Sequence, residues 1–269
     1  MLLWKSWRDL RIAFLVGLGW LALLAVGVIQ YALRSPSGPP TAVANAGQTV
    51  AVLMVFVLMQ TVVFTLIAWA MGTFGIGRDI GAGSGSFVLS RPVPRGYFVW
   101  TEWASGLIAL GVLLLLSALG LWLAVRFHAI QITTSTSTST GTGVTATLQT
   151  SSLASLPVGP AALQVLCAFL FLALVFGVTH LGTVAFRHST AGLLFSLSFF
   201  VGWLIITTIL GHEYPRIAPH IPDLLLRPFG GDPEQMQLVP HLTASLLIRI
   251  AILPLFPLLA HFLLRRTEV

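Results

Sequence analysis

Apolar residues fall along this chain in long, nearly unbroken runs separated by shorter polar segments. Soluble strands alternate and surface helices are apolar on one face only; this pattern is neither. A helical run of roughly 20 apolar residues crosses the roughly 30 Å hydrocarbon core of a bilayer. Six runs have that length: Ile12–Leu33, Val50–Met71, Trp103–Val125, Ala161–Phe186, Ala191–Leu210 and Leu246–Leu264. The last also holds Arg249, Pro254, Pro257 and His261, and membrane helices accommodate proline when neighbours satisfy the carbonyls it frees. The pattern predicts an all-α integral membrane protein of about six transmembrane helices, one transmembrane domain over residues 1–269. No small-residue cleavage site clearly follows the first run, so it reads as a span and not as a signal peptide.

Charge gives the spans a direction. Only 8% of residues are charged and 56% are apolar, too few charges to cover a soluble surface. A net charge of +6 would point to nucleic acid in a soluble protein. Here the basic residues flank the apolar runs, so membrane lipid is the expected partner and nucleic acid is not. An even number of spans puts both ends on one side. With the N-terminus inside, the inner face carries Lys5, Arg8, Arg11, Arg78, Arg91, Arg95, Arg187, Arg265 and Arg266. The outer face then carries Arg34, Arg126, Arg216 and Arg227, which fits the positive-inside rule with both termini cytoplasmic. Cys167 is the single cysteine; it forms no internal disulfide, supports no thiolate metal site, and reads as a small packing residue.

The connecting segments differ in kind. Residues 1–11, MLLWKSWRDLR, gather Leu3, Trp4, Trp7 and Leu10 on one side and Lys5, Arg8 and Asp9 on the other, the pattern of a helix lying in the headgroup layer. Residues 126–160 form an external loop rich in Ser and Thr, whose Thr133–Thr140 alternation reads as a flexible loop or a short hairpin. A second external loop, 211–245, holds His212, Glu213, His220, Asp223, Asp232, Glu234 and His241 without helical metal-ligand spacing, and reads as a polar loop.

The inner segment 72–102 is longer and more patterned than a turn. Phe87, Val88 and Leu89 make an apolar cluster, and the prolines of Arg91-Pro92-Val93-Pro94-Arg95 end any helix there. A short helix with an apolar face beside arginines suits a groove on a soluble partner. The glycines of GIGRDIGAGSG lack the Gly-Lys-Ser/Thr ending of a phosphate loop. Neither Ser84 nor Ser86 sits in a hydrolase elbow.

Taken together, the basic amphipathic start and GSGSFVLSRPVPRGYFVWTEW after the second span resemble the membrane subunits, or permeases, of ABC-2 type ABC transporters. That family's loop commonly reads acidic residue, small element, apolar residues, Ser-Arg-Pro-Val and a further basic residue. Asp79, Gly83–Ser86, Phe87–Leu89, Ser90–Val93 and Arg95 stand in those positions, although the family's usual glutamate is an aspartate here. The resemblance implies that the loop carries a cytoplasmic coupling helix, with Asp79, Phe87, Val88, Leu89, Arg91, Pro92 and Arg95 docking a separate ABC ATP-binding subunit. ATP and Mg would sit on that partner, with no cofactor in this chain. A second permease copy or a paralogue would complete the path. The resemblance also implies export across a prokaryotic plasma membrane, and a re-entrant piece near Leu224–Leu226 in the second outer loop.

Polar residues inside spans are candidates for the path because lipid exposure costs several kcal/mol. Gln60, His180 and Arg249 are the candidates, with His261 beside them. Their alternative roles are ordinary: Gln60 with Thr61 and Thr65 joins helices, the histidines lie near the interface, and Arg249 snorkels outward. Three rival functions stand beside the permease: an integral membrane enzyme, a secondary transporter, or a non-transporting membrane anchor for such an ATPase. The spans show no paired acids and no evident Ser/His dyad for the first, and no clear repeat or span-buried acids for the second.

Overall fold

The computed structural model describes residues 2–34, 42–43, 46–81, 83, 94–126, 131–140, 143–152, 158–213, 229–230, 237–238 and 242–266. Its helices are α1 (Leu2–Arg34), α2 (Ala46–Thr73), α3 (Ile76–Gly81), α4 (Arg95–Arg126), α5 (Val158–Phe186), α6 (Ser189–Glu213), α7 (Leu242–Ile252) and α8 (Leu255–Arg266). Among the described residues, five stretches are long and apolar enough to cross a membrane: Lys5–Gly27, Gly96–Ala124, Ala161–Phe186, Ser189–Leu210 and Ser245–Arg266. The helix α2 runs 28 residues, and its stretch Met59–Thr73 is apolar. The chain is a multi-pass, helical membrane protein.

Helix α5 is the hub. It packs on α2, α4, α6, α7 and α8, and 56% of its apolar window is buried against 6% for that of α6. Lipid tails drive no hydrophobic association, so small residues and hydrogen bonds must bring such helices together. A Cβ on Gly72 of α2 would stand 2.7 Å from Cβ of Thr179 on α5, so only glycine permits that approach. There the Thr183 hydroxyl donates to the Gly72 carbonyl at 3.1 Å. Trp20 of α1 donates its indole N–H to Gln60 Oε1 of α2 at 3.2 Å, and Trp69 of α2 donates to Ser196 Oγ of α6 at 3.1 Å.

Several boundaries differ from the sequence reading. The first eleven residues are not a separate interfacial helix: α1 continues from Leu2 to Arg34, about 50 Å at 1.5 Å per residue. Ser6, Leu10 and Ala13 recur on one face and are buried against the bundle, which holds the first turns in line with the span. The segment after α2 expected to run over 72–102 is shorter, because α4 begins at Arg95. Phe98 and Val99 are buried with Val184, Ala260 and Leu264, and that packing extends the helix back to the proline that precedes it. The sixth run is broken at Leu253–Pro254 into α7 and α8. Pro254 has no N–H to continue the ladder, whereas Pro257 sits in the first turn of α8, where none is needed.

Between α4 and α5 the threonine alternation forms a hairpin. Strand β2 (Gln131–Thr140) pairs antiparallel with β3 (Gly143–Ser152) from Gln131↔Ser152 to Thr140↔Gly143, and β1 (Ala42–Val43) adds a parallel pair along β3. Stiff β-branched threonine favours extended backbone, which decides between the two readings of that segment. Between α6 and α7, β4 (Phe229–Gly230) pairs with β5 (Gln237–Leu238). The expected re-entrant piece at Leu224–Leu226 lies outside the described residues.

Candidate functional site

At the end of the bundle where α1 begins, four elements meet around a group of charges. The helix α2 stops at Thr73 and the chain turns at Gly75, whose φ of +103° is a backbone setting that side chains rarely adopt. The turn sends α3 across the bundle end. The Glu102 carboxylate of α4 occupies the place where a Cβ on residue 75 would be, so glycine serves both the turn and the close approach. At its other end α3 rests on the α5–α6 corner, with Gly81 against the carbonyl of Arg187. Arg187 itself has φ of +56°, a left-handed residue closing α5.

Lys5 of α1 reaches into this junction. Its Nζ donates to Asp79 Oδ2 of α3 and stands 4.0 Å from Glu102 Oε1 of α4. The side chains of Lys5, Asp79 and Glu102 are 21%, 25% and 9% exposed, so this group is largely withdrawn from water. Ion pairs so placed hold elements together more firmly than exposed ones, because water screens them less. Arg8 lies 3.9 Å from Asp9, and Arg78 stacks over the Phe74 ring at 5.3 Å. The sequence pattern put Lys5 on the solvent face of an interfacial helix; the structure turns it inward, because the acids it can pair with lie on α3 and α4.

Beside the ion pairs is a narrow cleft lined by Ser6, Asp9 and Leu10 of α1, Met71, Phe74 and Gly75, Glu102, and Phe176 and His180 of α5. His180 is 2% exposed and stacks on Phe176 at 5.8 Å. Its Nε2 has no hydrogen-bond partner among the described residues. A serine, an imidazole and two carboxylates therefore share one cleft, yet Ser6 does not bond to Nε2, so the nucleophile–base contact of a hydrolase is not made. Among the described residues no three His, Cys, Asp or Glu are grouped to hold a metal.

The residues singled out from sequence lie on several elements. Asp79 is in the ion pair with Lys5. Phe87, Val88, Leu89, Arg91 and Pro92 lie outside the described residues, and Arg95 opens α4. Gln60 is 3% exposed and accepts from Trp20, eleven residues or about 16 Å along α2 from Met71 in the cleft. Arg249 is 6% exposed on α7; it does not snorkel outward but is enclosed by the bundle. Gln60 and His180 thus stand at different levels of the bundle.

The sequence reading missed Lys5, Gly75 and Glu102 as a unit. One signal was available: Asp9, Asp79 and Glu102 are acids placed among the basic residues of the inner segments, where each is close to a partner of opposite sign. No family model matches the chain, and neither a curated protein nor a solved structure matches it.

Proposed function

We propose that this chain is the membrane-spanning subunit of an ATP-driven transporter of the ABC-2 type, an exporter in a prokaryotic plasma membrane. The observation that carries the reading is the segment Asp79–Arg95, with its acidic residue, small element, Phe87–Leu89 cluster and Ser90-Arg91-Pro92-Val93, standing between two apolar helices. In this reading α2 is the sixth span beside the five apolar stretches, and both termini face the cytoplasm. Two features support that orientation: Lys5, Asp79 and Glu102 meet at one end of the bundle, and Arg78, Arg187, Arg265 and Arg266 are exposed.

In mechanism, the residues 82–94 carry the coupling helix, and Phe87, Val88 and Leu89 seat in a cleft of a separate ATP-binding subunit beside Arg91, Pro92 and Arg95. The chain carries no Gly-x-x-x-x-Gly-Lys-Ser/Thr, so ATP and Mg would be held by that partner. Movement of the docked subunit pushes on the loop and, through α3, on the bundle. A second copy of the chain or a paralogue completes the path.

The test is affinity purification of the tagged chain in mild detergent. A stoichiometric P-loop ATPase is expected to co-purify and to be lost from a Phe87→Asp/Leu89→Asp variant that still inserts. A chain that purifies alone across several detergents, or a variant that keeps its ATPase and its turnover, would refute the reading.

A further inference from the structure

At the end of the bundle where α1 begins, several helices share one apolar cluster. Phe98 and Val99 of α4, Val184 of α5, and Ala260 and Leu264 of α8 form it, and Ile80 of α3 packs against it. Both helices that finish there end in arginine just beyond the cluster. Arg187 follows Val184 by three residues, and Arg265 and Arg266 follow Leu264 directly. Gly81 against the Arg187 carbonyl brings α3 to the same corner. Arg187, Arg265 and Arg266 are exposed, and among the described residues none of the three makes an ion pair. A cation at a helix C-terminus offsets the helix dipole, which accounts for each arginine singly. It does not account for their gathering around one cluster, where like charges repel unless an anion stands among them.

Depth decides which anion fits. Tyr97 and Trp100, 54% and 38% exposed, flank Phe98 and Val99, and exposed aromatics of this kind sit at the headgroup level of a bilayer. Phe186, Leu259 and Phe262 are about half exposed and lead back from the arginines along the apolar stretches of α5 and α8. The Arg266 guanidinium lies over the Phe262 ring at 4.4 Å, so charge and apolar surface adjoin. A ligand seated here meets guanidinium groups at one end and apolar side chains at the other, which is the profile of a phospholipid. A soluble anion would use only the first, and an acidic protein surface would not match the second. Arginine's planar fork also pairs with phosphate oxygens two at a time. We propose that this corner of α3, α5 and α8 binds an anionic phospholipid. Arg187, Arg265 and Arg266 hold the phosphate, and the acyl chains lie along Phe186, Leu259 and Phe262. The site requires a membrane but no ATP-binding partner.

The test is native mass spectrometry of the purified full chain in detergent, titrated with phosphatidylglycerol or with phosphatidylcholine of the same acyl chains. The parent is expected to retain phosphatidylglycerol in preference to phosphatidylcholine. Each arginine near an anionic lipid surface strengthens binding about fivefold, so Arg265→Gln/Arg266→Gln should weaken phosphatidylglycerol binding about 25-fold and leave phosphatidylcholine unchanged. Arg187→Gln should weaken it about fivefold. Because Arg187 closes α5 at positive φ, the exposed pair at the end of α8 carries the test should that variant fail to fold. Arg8→Gln/Arg11→Gln removes the same charge from exposed positions on α1 and should leave binding nearly unchanged. Equal losses from the two double variants would reduce the effect to general surface charge and overturn the proposal. So would equal retention of the two lipids by the parent, or displacement of bound lipid by excess inorganic phosphate, which would mark an ion site. Unchanged phosphatidylglycerol binding in Arg265→Gln/Arg266→Gln would also overturn it, and loss of a co-purifying protein from that variant would assign the arginines to a protein contact instead.

Discussion

Replacing Gly75 by alanine separates two costs that are usually entangled. The new Cβ would first force a side-chain-bearing residue into φ near +103°, a strain of about 1–3 kcal/mol. It would also collide with the Glu102 carboxylate, whose side chain is 9% exposed, and displace it from its place near Lys5. Disturbing a buried charged group in this way costs about another 1–3 kcal/mol. Gly83 is the internal control: its φ is also positive, at +78°, but among the described residues nothing lies within 4 Å of a Cβ built there. Gly83→Ala should therefore cost only about 1–2 kcal/mol. At about 2–4 °C per kcal/mol for a chain of this size, Gly75→Ala should lower the apparent melting point by about 4–24 °C and Gly83→Ala by about 2–8 °C. The chain carries its own reporter, since Cys167 is the sole cysteine and is fully buried, so a thiol-reactive dye signals unfolding on heating in detergent. In a Glu102→Ala background the collision disappears, and Gly75→Ala should cost no more than Gly83→Ala. Equal melting shifts for the two glycines, or an undiminished Gly75→Ala penalty without Glu102, would refute the reasoning.

Gln60→Leu should remove the acceptor of the Trp20 N–H and lower the apparent melting point by about 2–4 °C, and in a Trp20→Phe background most of that loss should vanish; additive losses would show that the pair does not interact. Gly72→Val should separate α2 from α5 at Thr179 and cost at least about 2 kcal/mol, read as a lower melting point and weaker helix packing; an unchanged melting point would contradict the close approach. Excising residues 132–151 should leave the melting point within about 2 °C, because the hairpin's pairing runs along its own strands and β1; a large loss would mean that the outer loop braces the helices.

The tally between sequence and structure follows from what each physical constraint specifies. Bilayer thickness sets the length of an apolar run, so the positions of five apolar stretches were legible, whereas the break at Pro254 was not, because a proline within an apolar run does not say whether its neighbours will satisfy the carbonyl it frees. Threonine's stiffness made the hairpin one of two open readings of its segment. Packing was not legible. The helices α5 and α6 are similarly apolar, yet one is the hub and the other is almost wholly outward-facing, because a side chain that suits lipid also suits a helix interface. Gln60 and Arg249 looked like path candidates for the same reason: polarity within a span identifies a side chain that needs a partner, not which partner it finds.

The sequence by itself determined that this chain lives in a bilayer and roughly where its apolar helices run. These follow from run length, charge asymmetry and backbone chemistry, all of which act within a few turns of helix. Only the tertiary structure decided that Lys5 turns inward, that Gly75 and Glu102 fit against each other, and that α3 links α1, α4 and the α5–α6 corner. Those contacts join residues as far apart as Lys5 and Glu102, and their geometry depends on how every helix between them packs.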